Sequence, residues 1–361
     1  MGKEPCVEDM DRVKFWRGKK VLITGHTGFK GTWLTIWLHR LGATVLGYAL
    51  KKYPNDAFYN STNISKKIID VRDNIEDNRA LNAVFSKYQP DMVFHLAARS
   101  LVRRSYDEPL GTFNTNILGT ANVLESIRLS KSVKAAVIIT SDKCYKNNEW
   151  VWGYRENDTL GGHDPYSCSK GCAEMLVDCY RRSFFKDQSK YVASARAGNV
   201  IGGGDWSEDR LIPDCIKSLE KGEKIRVHNP GSTRPWQHVL EPLDGYLTLA
   251  EKMWTKKKYD EAWNFGPTLA SIRPVGDIVD LLIEKWRGGA WEHVPEGNRH
   301  EAKTLSLDIT KTWINLEWNP RLTIDESMDL VVEWYKHYRG EDPYGLTLRQ
   351  ITGYEALTHP N

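Results

Sequence analysis

The chain has 361 residues, 40% of them hydrophobic and 27% charged, and a formal net charge of +3 at pH 7. This composition is typical of a soluble globular protein large enough for two domains, and it contains no apolar run as long as a membrane span. The charged N-terminus lacks the apolar core of a signal peptide, so we expect a cytoplasmic protein without a membrane partner. The charges are spread along the chain, which argues against a nucleic-acid partner.

The cysteines are scattered singly and form no CxxC pair or Cys/His cluster. We therefore expect reduced thiols and no metal site. The six residues are Cys6, Cys144, Cys168, Cys172, Cys179 and Cys215.

The first strong pattern is a buried strand that runs into a glycine turn and a helix. Residues 21–23 form a continuous apolar run, which is typical of a strand covered on both faces. Gly25, Gly28 and Gly31 follow at intervals of three. Such glycines permit a tight turn, a close approach of phosphates and close packing of the helix, whose N-H groups then face a pyrophosphate. We predict a dinucleotide site here rather than a plain tight turn.

Strand and helix patterns then alternate through the first half of the chain. This alternation predicts an α/β fold with a doubly wound parallel Rossmann sheet and right-handed crossovers. Strands are expected at residues 21–23, 44–49, 67–70, 91–96, 135–140 and 191–197, and the later helices at 75–88, 110–129 and 169–184.

Beyond residue 198 the alternation loosens into glycine- and proline-rich loops with short helices. We therefore expect a smaller, mostly C-terminal substrate-binding domain. The predicted division is an N-terminal tail at 1–17, a dinucleotide-binding domain at 18–198 that is completed by about 238–268, and a substrate domain at 199–237 and 269–361.

The end of the second strand leaves the choice between NAD and NADP open. Many NAD-binding sheets carry an acid there for the adenosine ribose. This chain has Ala49 and Leu50 instead, followed by Lys51 and Lys52.

Two groups of polar residues are candidates for chemistry. Tyr166 and Lys170 are four apart, on one face of a helix, where a cation would lower the pKa of the phenol; an ordinary helix start is the alternative. Ser141, Asp142 and Lys143 follow the fifth strand, at the edge where such sheets bind ligands. A solvated turn capped by the first two is the alternative.

Five motifs together resemble the extended short-chain dehydrogenase/reductases, and among them the nucleotide-sugar 4,6-dehydratases that act on CDP-glucose. The match runs from about Phe15 to the C-terminus, and Lys143 stands where the dTDP-glucose dehydratases generally have Glu. The motifs are TGHTGFKG (24–31), SDKCY (141–145), DPYSCSKG (164–171), RAGNVIGGGDW (196–206) and RPWQHV (234–239).

The resemblance implies NAD as cofactor. The glycine loop, with Gly25, His26, Gly28, Phe29, Lys30 and Gly31, would hold its phosphates, in part through the N-H groups of Phe29 and Lys30. Asp70 and Val71 would frame the adenine. Leu96, Ala97 and Ala98 would line the inner part of the cofactor site.

The resemblance also implies the catalytic and substrate residues. Tyr166 would be the base for the sugar's 4-hydroxyl, assisted by Lys170 and Ser141, and Asp142 would protonate the leaving 6-hydroxyl. Lys143 is expected to act as the base at C5, or else to stabilise the enolate by its charge. Asn199 and Arg234 would hold the nucleotide diphosphate. Arg210 and Arg299 are further candidates, with solvated surface arginines as the alternative.

The implied reaction is C4 oxidation of CDP-glucose, loss of water across C5 and C6, and return of the hydride to C6. A nucleotide-sugar 4-epimerase, a dehydratase for another nucleotide-activated hexose and a non-catalytic nucleotide sensor are the alternatives. The long helices at 110–129 and 169–184 could pair with those of a second subunit, so a homodimer or homotetramer is expected; both could instead simply cover the sheet.

Overall fold

The structure, a computed structural model, describes residues 7–52, 56–295 and 304–357. Its strands are β1 (Lys20–Thr24), β2 (Thr44–Ala49), β3 (Ile69–Arg72), β4 (Met92–His95), β5 (Ala135–Ile139), β6 (Tyr191–Ala197), β7 (Val200–Ile201), β8 (Ile225–Val227), β9 (Thr233–Pro235), β10 (Gln237–His238), β11 (Ala262–Phe265), β12 (Ile272–Pro274) and β13 (Trp291–His293).

The helices cover both faces of the main sheet or build the region beyond its carboxyl edge. They are α1 (Val7–Trp16), α2 (Phe29–Arg40), α3 (Ala57–Ser61), α4 (Asn78–Tyr88), α5 (Val102–Asp107), α6 (Pro109–Phe113), α7 (Gly119–Leu129), α8 (Pro165–Tyr180), α9 (Leu211–Lys221), α10 (Leu240–Lys256), α11 (Val275–Trp286), α12 (Thr310–Leu316), α13 (Ile324–His337) and α14 (Pro343–Glu355).

Seven strands form one sheet in the order β11-β6-β5-β4-β1-β2-β3, and every neighbouring pair is parallel. This arrangement confirms the predicted α/β class with a doubly wound parallel sheet. The short strands form separate pairs, β7 with β10, β8 with β13 and β9 with β12. The division of the chain into two domains stays a prediction, although β11 lies inside the range 238–268 that we expected to complete the sheet.

Each strand of the sheet sends alternate side chains into two cores, as the continuous apolar runs predicted. Val21 and Ile23 of β1 join the core that contains α2 and α10. Leu22 joins the opposite core, with side chains of α4, α7 and α8. The sheet is therefore covered on both faces, and its carboxyl edge is left to form a ligand site.

Several boundaries differ from the predictions; α4, for example, begins at Asn78 rather than 75. β3 is Ile69–Arg72 rather than 67–70, because Ile64–Lys67 form a 3₁₀ turn before it. α8 begins at Pro165 rather than 169, because the Asp164 side chain caps the helix by accepting the N-H of Ser167. The helix predicted at 110–129 contains a π-helical turn, Asn114–Leu118, between α6 and α7.

Within the predicted N-terminal tail, residues 7–16 form α1, which packs on the rest of the fold. Trp16 is fully buried, and its indole N-H donates to Glu251 at 2.5 Å. The Arg12 guanidinium lies 2.6 Å from Asp244 and 2.9 Å from Glu251, both on α10. These partners lie more than two hundred residues away in sequence. The local sequence of residues 7–16 therefore did not indicate that this segment packs on the fold.

No helix in the described part of the chain is long and apolar enough to cross a membrane.

A buried carboxyl group on α10 attaches the C-terminal helices to the rest of the fold. One Glu241 oxygen accepts the N-H groups of Arg321 and Leu322, at 2.9 and 2.6 Å, and the other accepts the Tyr354 hydroxyl at 2.7 Å. Burial raises the pKa of Glu241 to about 7, although these hydrogen bonds oppose the shift. The folded state therefore favours the protonated acid.

Glu241→Gln should stabilise the protein selectively at alkaline pH. The stability that Glu241 provides is fully present below its unfolded pKa of 4.5 and is lost as the pH rises through about 7. Urea unfolding at about pH 9 should give the variant an advantage of roughly 1 to 3 kcal/mol, which disappears at about pH 5. An equal difference in unfolding free energy at both pH values would contradict this role.

Candidate active site

One cavity follows the carboxyl edge of the sheet from the glycine turn to β8. Its volume of about 1760 Å³ exceeds the usual range of a site for one small ligand, so it has room for a dinucleotide and a second nucleotide. Segments from both halves of the chain form its wall. They include residues 27–31, 48–50, 73–76, 96–106, 139–143, 197–202 and 225–229.

The glycine turn is held against the neighbouring strand by contacts that leave no space for side chains. Gly25 has φ +72°, and a Cβ there would lie 2.6 Å from the N of Ala97. A Cβ on Gly31 would lie 2.1 Å from the carbonyl oxygen of Gly25. The nearest atom to a Cβ on Gly28 would be 3.5 Å away, so space at Gly28 faces the cavity. Two glycines therefore shape the turn, and the third leaves room for a ligand.

His26 lies beneath this turn and not on the cavity wall, which differs from the predicted cofactor contact. Its ring is fully buried, with Nε2 3.0 Å from an Asp70 oxygen. A Cβ on Gly47 of β2 would lie 2.3 Å from the ring, so that glycine makes the space for it. Burial lowers the pKa of His26, against the effect of Asp70. A neutral His26 therefore supports the turn from below.

Asp70 and Val71 are also absent from the described cavity wall, although we predicted that they frame the adenine. The Asp70 carboxylate faces the protein, where it accepts the Tyr59 hydroxyl at 2.9 Å and the Arg72 Nε at 2.6 Å. Burial alone would raise the pKa of Asp70, but hydrogen bonds from His26 and Arg72 hold it below its ordinary value. This carboxylate is occupied by protein donors.

The wall next to β2 carries a different acid that the sequence analysis missed. Asp73, Asn74 and Glu76 line the cavity beside Ala49 and Leu50. The backbone N-H of Asp73 donates to the Ala49 carbonyl at 2.8 Å, which fixes the two segments together. The polar residues directly after β3 could have indicated this part of the wall from the sequence.

The residues predicted to form the inner wall of the cofactor site line the same cavity. Leu96, Ala97 and Ala98 follow β4 and line the cavity, as does Phe29. The N-H of Leu96 donates to the Thr24 carbonyl at 3.0 Å. The small side chains of Ala97 and Ala98 leave space beside the glycine turn.

The polar turn after β5 forms a 3₁₀ segment with its polar groups at the cavity. The Ser141 hydroxyl donates to one Asp142 oxygen at 2.9 Å and accepts the N-H of Lys143 at 3.2 Å. Asp142 is only 2% exposed, and its second oxygen has no hydrogen-bond partner among the described residues. This segment, Ser141 to Lys143, is hereafter called the catalytic turn, after the role that we propose for it below.

The first turns of α8 carry Tyr166 and Lys170 into the same cavity. The Lys170 ammonium donates to the Ile139 carbonyl at 3.1 Å, and burial lowers its pKa to about 8. Burial raises the pKa of Tyr166 to about 12, with a hydrogen bond to Ser141 acting in the opposite direction. The expected lowering of the phenol pKa is therefore outweighed by burial in this structure.

Lys30 contributes a side chain and not only a backbone N-H, which the sequence analysis overlooked. Its ammonium lies 6.0 Å from the centroid of the Tyr246 ring. Burial lowers the pKa of Lys30 to about 7, and the charges of Arg210 and Lys170 act in the same direction. The sequence could have indicated a role for this side chain, because Lys30 lies within the loop predicted to bind phosphate.

The predicted substrate residues that can be placed lie on the far wall of the cavity. Asn199, Arg210 and Arg234 all line it, and Arg234 is buried. Arg210 contacts Asp205 at 3.2 Å and Ser100 at 3.3 Å. Residues 225–229 extend this wall and had not been assigned a role. Arg299, the fourth predicted residue, lies outside the described residues.

Comparison with known proteins identifies relatives along nearly the whole chain. A CDP-glucose 4,6-dehydratase of Salmonella typhimurium is 45% identical over 352 residues, which cover 95% of this chain and 98% of the relative. A dTDP-glucose 4,6-dehydratase of Haemophilus influenzae is 26% identical, over 87% of this chain and 97% of the relative.

The fold has solved counterparts as well. The crystal structure of a dTDP-glucose 4,6-dehydratase from Bacillus anthracis in complex with NAD matches with a TM-score of 0.75 and 20% identity, over 91% of this chain and 100% of that chain. The family model described as GDP-mannose 4,6 dehydratase matches residues 22–331. Because that match covers most of the chain and the Salmonella relative is similar nearly from end to end, the chain belongs to the GDP-mannose 4,6 dehydratase family.

Proposed function

We propose that this protein is an NAD-dependent lyase that converts CDP-glucose into CDP-4-keto-6-deoxyglucose. The observation that carries the proposal is the meeting of two groups in one cavity. Tyr166 and Lys170 on α8 can act at one sugar carbon, and the acid and amine of the catalytic turn can act at its neighbours. The similarity to the Salmonella CDP-glucose 4,6-dehydratase supports the choice of CDP-glucose.

The glycine turn fits a dinucleotide such as NAD. Its closest backbone approaches exclude side chains at Gly25 and Gly31, while Gly28 leaves open space toward the cavity. The N-H groups at the start of α2, including those of Phe29 and Lys30, would face the phosphates. When bound, NAD supplies the hydride acceptor for C4 and the donor that reduces C6.

Tyr166 is assigned the role of base for the 4-hydroxyl. Ser141 acts to lower the pKa of the phenol, and Lys170 lies one helical turn further along α8 in the same cavity. A ketone at C4 makes the C5 hydrogen acidic, so oxidation before elimination lowers the barrier for loss of the 6-hydroxyl.

The catalytic turn is assigned the elimination. Asp142 has one oxygen without a protein partner among the described residues, so it can hold and deliver a proton to the leaving 6-hydroxyl. Lys143 lines the same wall and is the candidate base at C5. A 4-epimerase needs the C4 chemistry alone, and the acid and amine of the turn therefore favour the dehydratase.

The nucleotide end of the substrate is assigned to Arg210 and Arg234. A guanidinium can bind two oxygens of a diphosphate at once, and both side chains line the wall together with Asn199. The partial burial of Arg210, with 33% of its side chain exposed, favours a binding role over that of a solvated arginine.

Exposed apolar side chains on the helices expected to pair between subunits support a homodimer or homotetramer. Such side chains are more costly to leave in water than polar ones. They are Leu110, Leu118, Leu129, Met175 and Phe184.

Purified protein supplied with CDP-glucose and NAD should form a 4-keto product that absorbs in alkali. dTDP-glucose and GDP-mannose should be turned over at least about tenfold more slowly, since discrimination at a polar site typically exceeds 1 kcal/mol. Interconversion of CDP-glucose with its 4-epimer, without the keto product, would instead assign an epimerase. Binding without any turnover would assign a nucleotide sensor.

Tyr166→Phe should lower kcat by about a hundredfold to ten-thousandfold, because it removes the group that takes the 4-hydroxyl proton. Binding of CDP should be retained. Tyr344→Phe removes a phenol that lies outside the cavity wall and contacts His39 at 3.3 Å, so it is a matched control. Near-normal turnover in the Tyr166 variant would remove this residue from the mechanism.

Lys143→Met should slow exchange of the C5 hydrogen with deuterated water if Lys143 is the base. Lys143→Glu should keep part of the activity for the same reason, since a carboxylate can replace an amine as a base but not as a cation. Lys131→Met removes an exposed cation that does not line the cavity and should have little effect.

The exchange measurement separates the two roles of Lys143. Undiminished exchange in the Met variant, with only the later loss of water slowed, would assign the base to another group. Exchange slowed to the same extent in the Met and Glu variants would favour stabilisation of the enolate by charge, because a carboxylate cannot replace the cation.

A further inference from the structure

A buried ion pair contacts both ends of the catalytic turn. Before the turn, the Thr140 hydroxyl donates to one oxygen of Glu174. After it, the Tyr145 hydroxyl accepts from Nη1 of Arg196 at 2.7 Å. The other Glu174 oxygen accepts from Nη2 of Arg196, also at 2.7 Å. The residues that flank the turn are therefore bonded to the two members of a single ion pair.

This ion pair is also tied to the helix that carries the base. Glu174 lies one helical turn beyond Lys170 and two turns beyond Tyr166, so all three lie on one face of α8. Arg196 lies on β6, beside β5, from which the catalytic turn emerges. The pair thus connects α8, β6 and both flanks of the turn.

The two charges have little freedom to move. Glu174 and Arg196 are 3% and 2% exposed, and Ser194 donates a further hydrogen bond to Glu174 at 2.7 Å. Nη1 of Arg196 also donates to the Glu156 carbonyl at 3.0 Å. The Tyr145 hydroxyl donates to Asn264 on β11 at 2.7 Å. The fixed fork of a guanidinium suits this set of partners, whereas a lysine offers a single point charge.

The geometry points to Glu174 and Arg196 as positioning residues that fix the catalytic turn relative to Tyr166 and Lys170. The inference rests on the proposed function, because it concerns the coordination of two steps. Oxidation at C4 uses side chains of α8, whereas elimination at C5 and C6 uses Asp142 and Lys143 of the turn. Both sets must reach one sugar ring, and displacements of about 1 Å can cost about a hundredfold in rate.

Tyr145→Phe is the mildest test because it removes one hydroxyl and leaves the ion pair in place. We expect kcat to fall about tenfold to a hundredfold with KM changed less than about threefold. Elimination should slow more than oxidation, so the near-ultraviolet absorbance of reduced nicotinamide should accumulate during a single turnover. A loss of overall stability would not by itself change the balance between the two steps.

Tyr154→Phe is the matched control. Tyr154 is buried and stacks on Tyr145 with ring centroids 5.1 Å apart, but its hydroxyl bonds to Asn147 and Asn148 rather than to the ion pair. It should leave kcat within about twofold of the unsubstituted protein and show no accumulation of reduced nicotinamide.

Two further variants test the ion pair itself. Glu174→Gln keeps a group that can accept from Thr140 but removes the charge opposite Arg196. Arg196→Lys keeps a charge but loses the fork. Both should show the accumulation of reduced nicotinamide that we expect for Tyr145→Phe. If either variant fails to fold, the Tyr145→Phe variant alone tests the positioning role.

The outcomes separate this inference from the proposed function. Absence of the keto product and of reduced nicotinamide in the unsubstituted protein would contradict the proposed function. Normal turnover there, combined with a Tyr145→Phe variant that matches Tyr154→Phe in both kcat and absorbance, would overturn the positioning role alone.

Discussion

The contact between the glycine turn and the end of β4 is the constraint on which the rest of the site depends. Gly25 approaches Ala97, and Gly31 approaches Gly25, more closely than any side chain would allow. These contacts bring the N-terminus of α2 to the carboxyl edge of the sheet. Phosphate-binding N-H groups and the ends of β4 and β5 therefore face one cavity.

That cavity concentrates the positive charges of Lys30, Lys170 and Arg210. Burial makes the charged forms of Lys30 and Lys170 less favourable, and the charges of Arg210 and Lys170 further lower the pKa of Lys30. Asp142 compensates in part, since it raises the pKa of Lys30. Ligands that carry diphosphates would supply the missing negative charge, which is a physical reason for the site to bind nucleotides.

The sequence predicted those features that local patterns determine. The apolar runs and glycine spacing defined the parallel sheet, and helical spacing brought Tyr166 and Lys170 to one face. Features that depend on distant partners were missed. His26 was expected to face the cofactor, but space created by Gly47 and a hydrogen bond to Asp70 draw it beneath the turn.

The same distinction explains the catalytic turn and its neighbours. The residues of the turn were visible as polar groups at the end of a buried strand. The residues that hold the turn in place were not visible in the sequence. They are separated along the chain, and each has an ordinary interpretation as a core or helix residue. They are Thr140, Tyr145, Glu174 and Arg196. Only the fold shows that their hydrogen bonds meet at one ion pair.

Ionisation of the Tyr166 phenol depends on the charged and polar groups around it in the cavity. Burial favours the neutral phenol, whereas the hydrogen bond to Ser141 and the charge of Arg210 favour the phenolate. Asp142 acts in the opposite direction while it is ionised. The charge of Asp142, the proposed acid for elimination, therefore opposes ionisation of Tyr166, the proposed base for oxidation. The separation between the catalytic turn and α8 controls this coupling, because electrostatic interactions in a buried site depend strongly on distance.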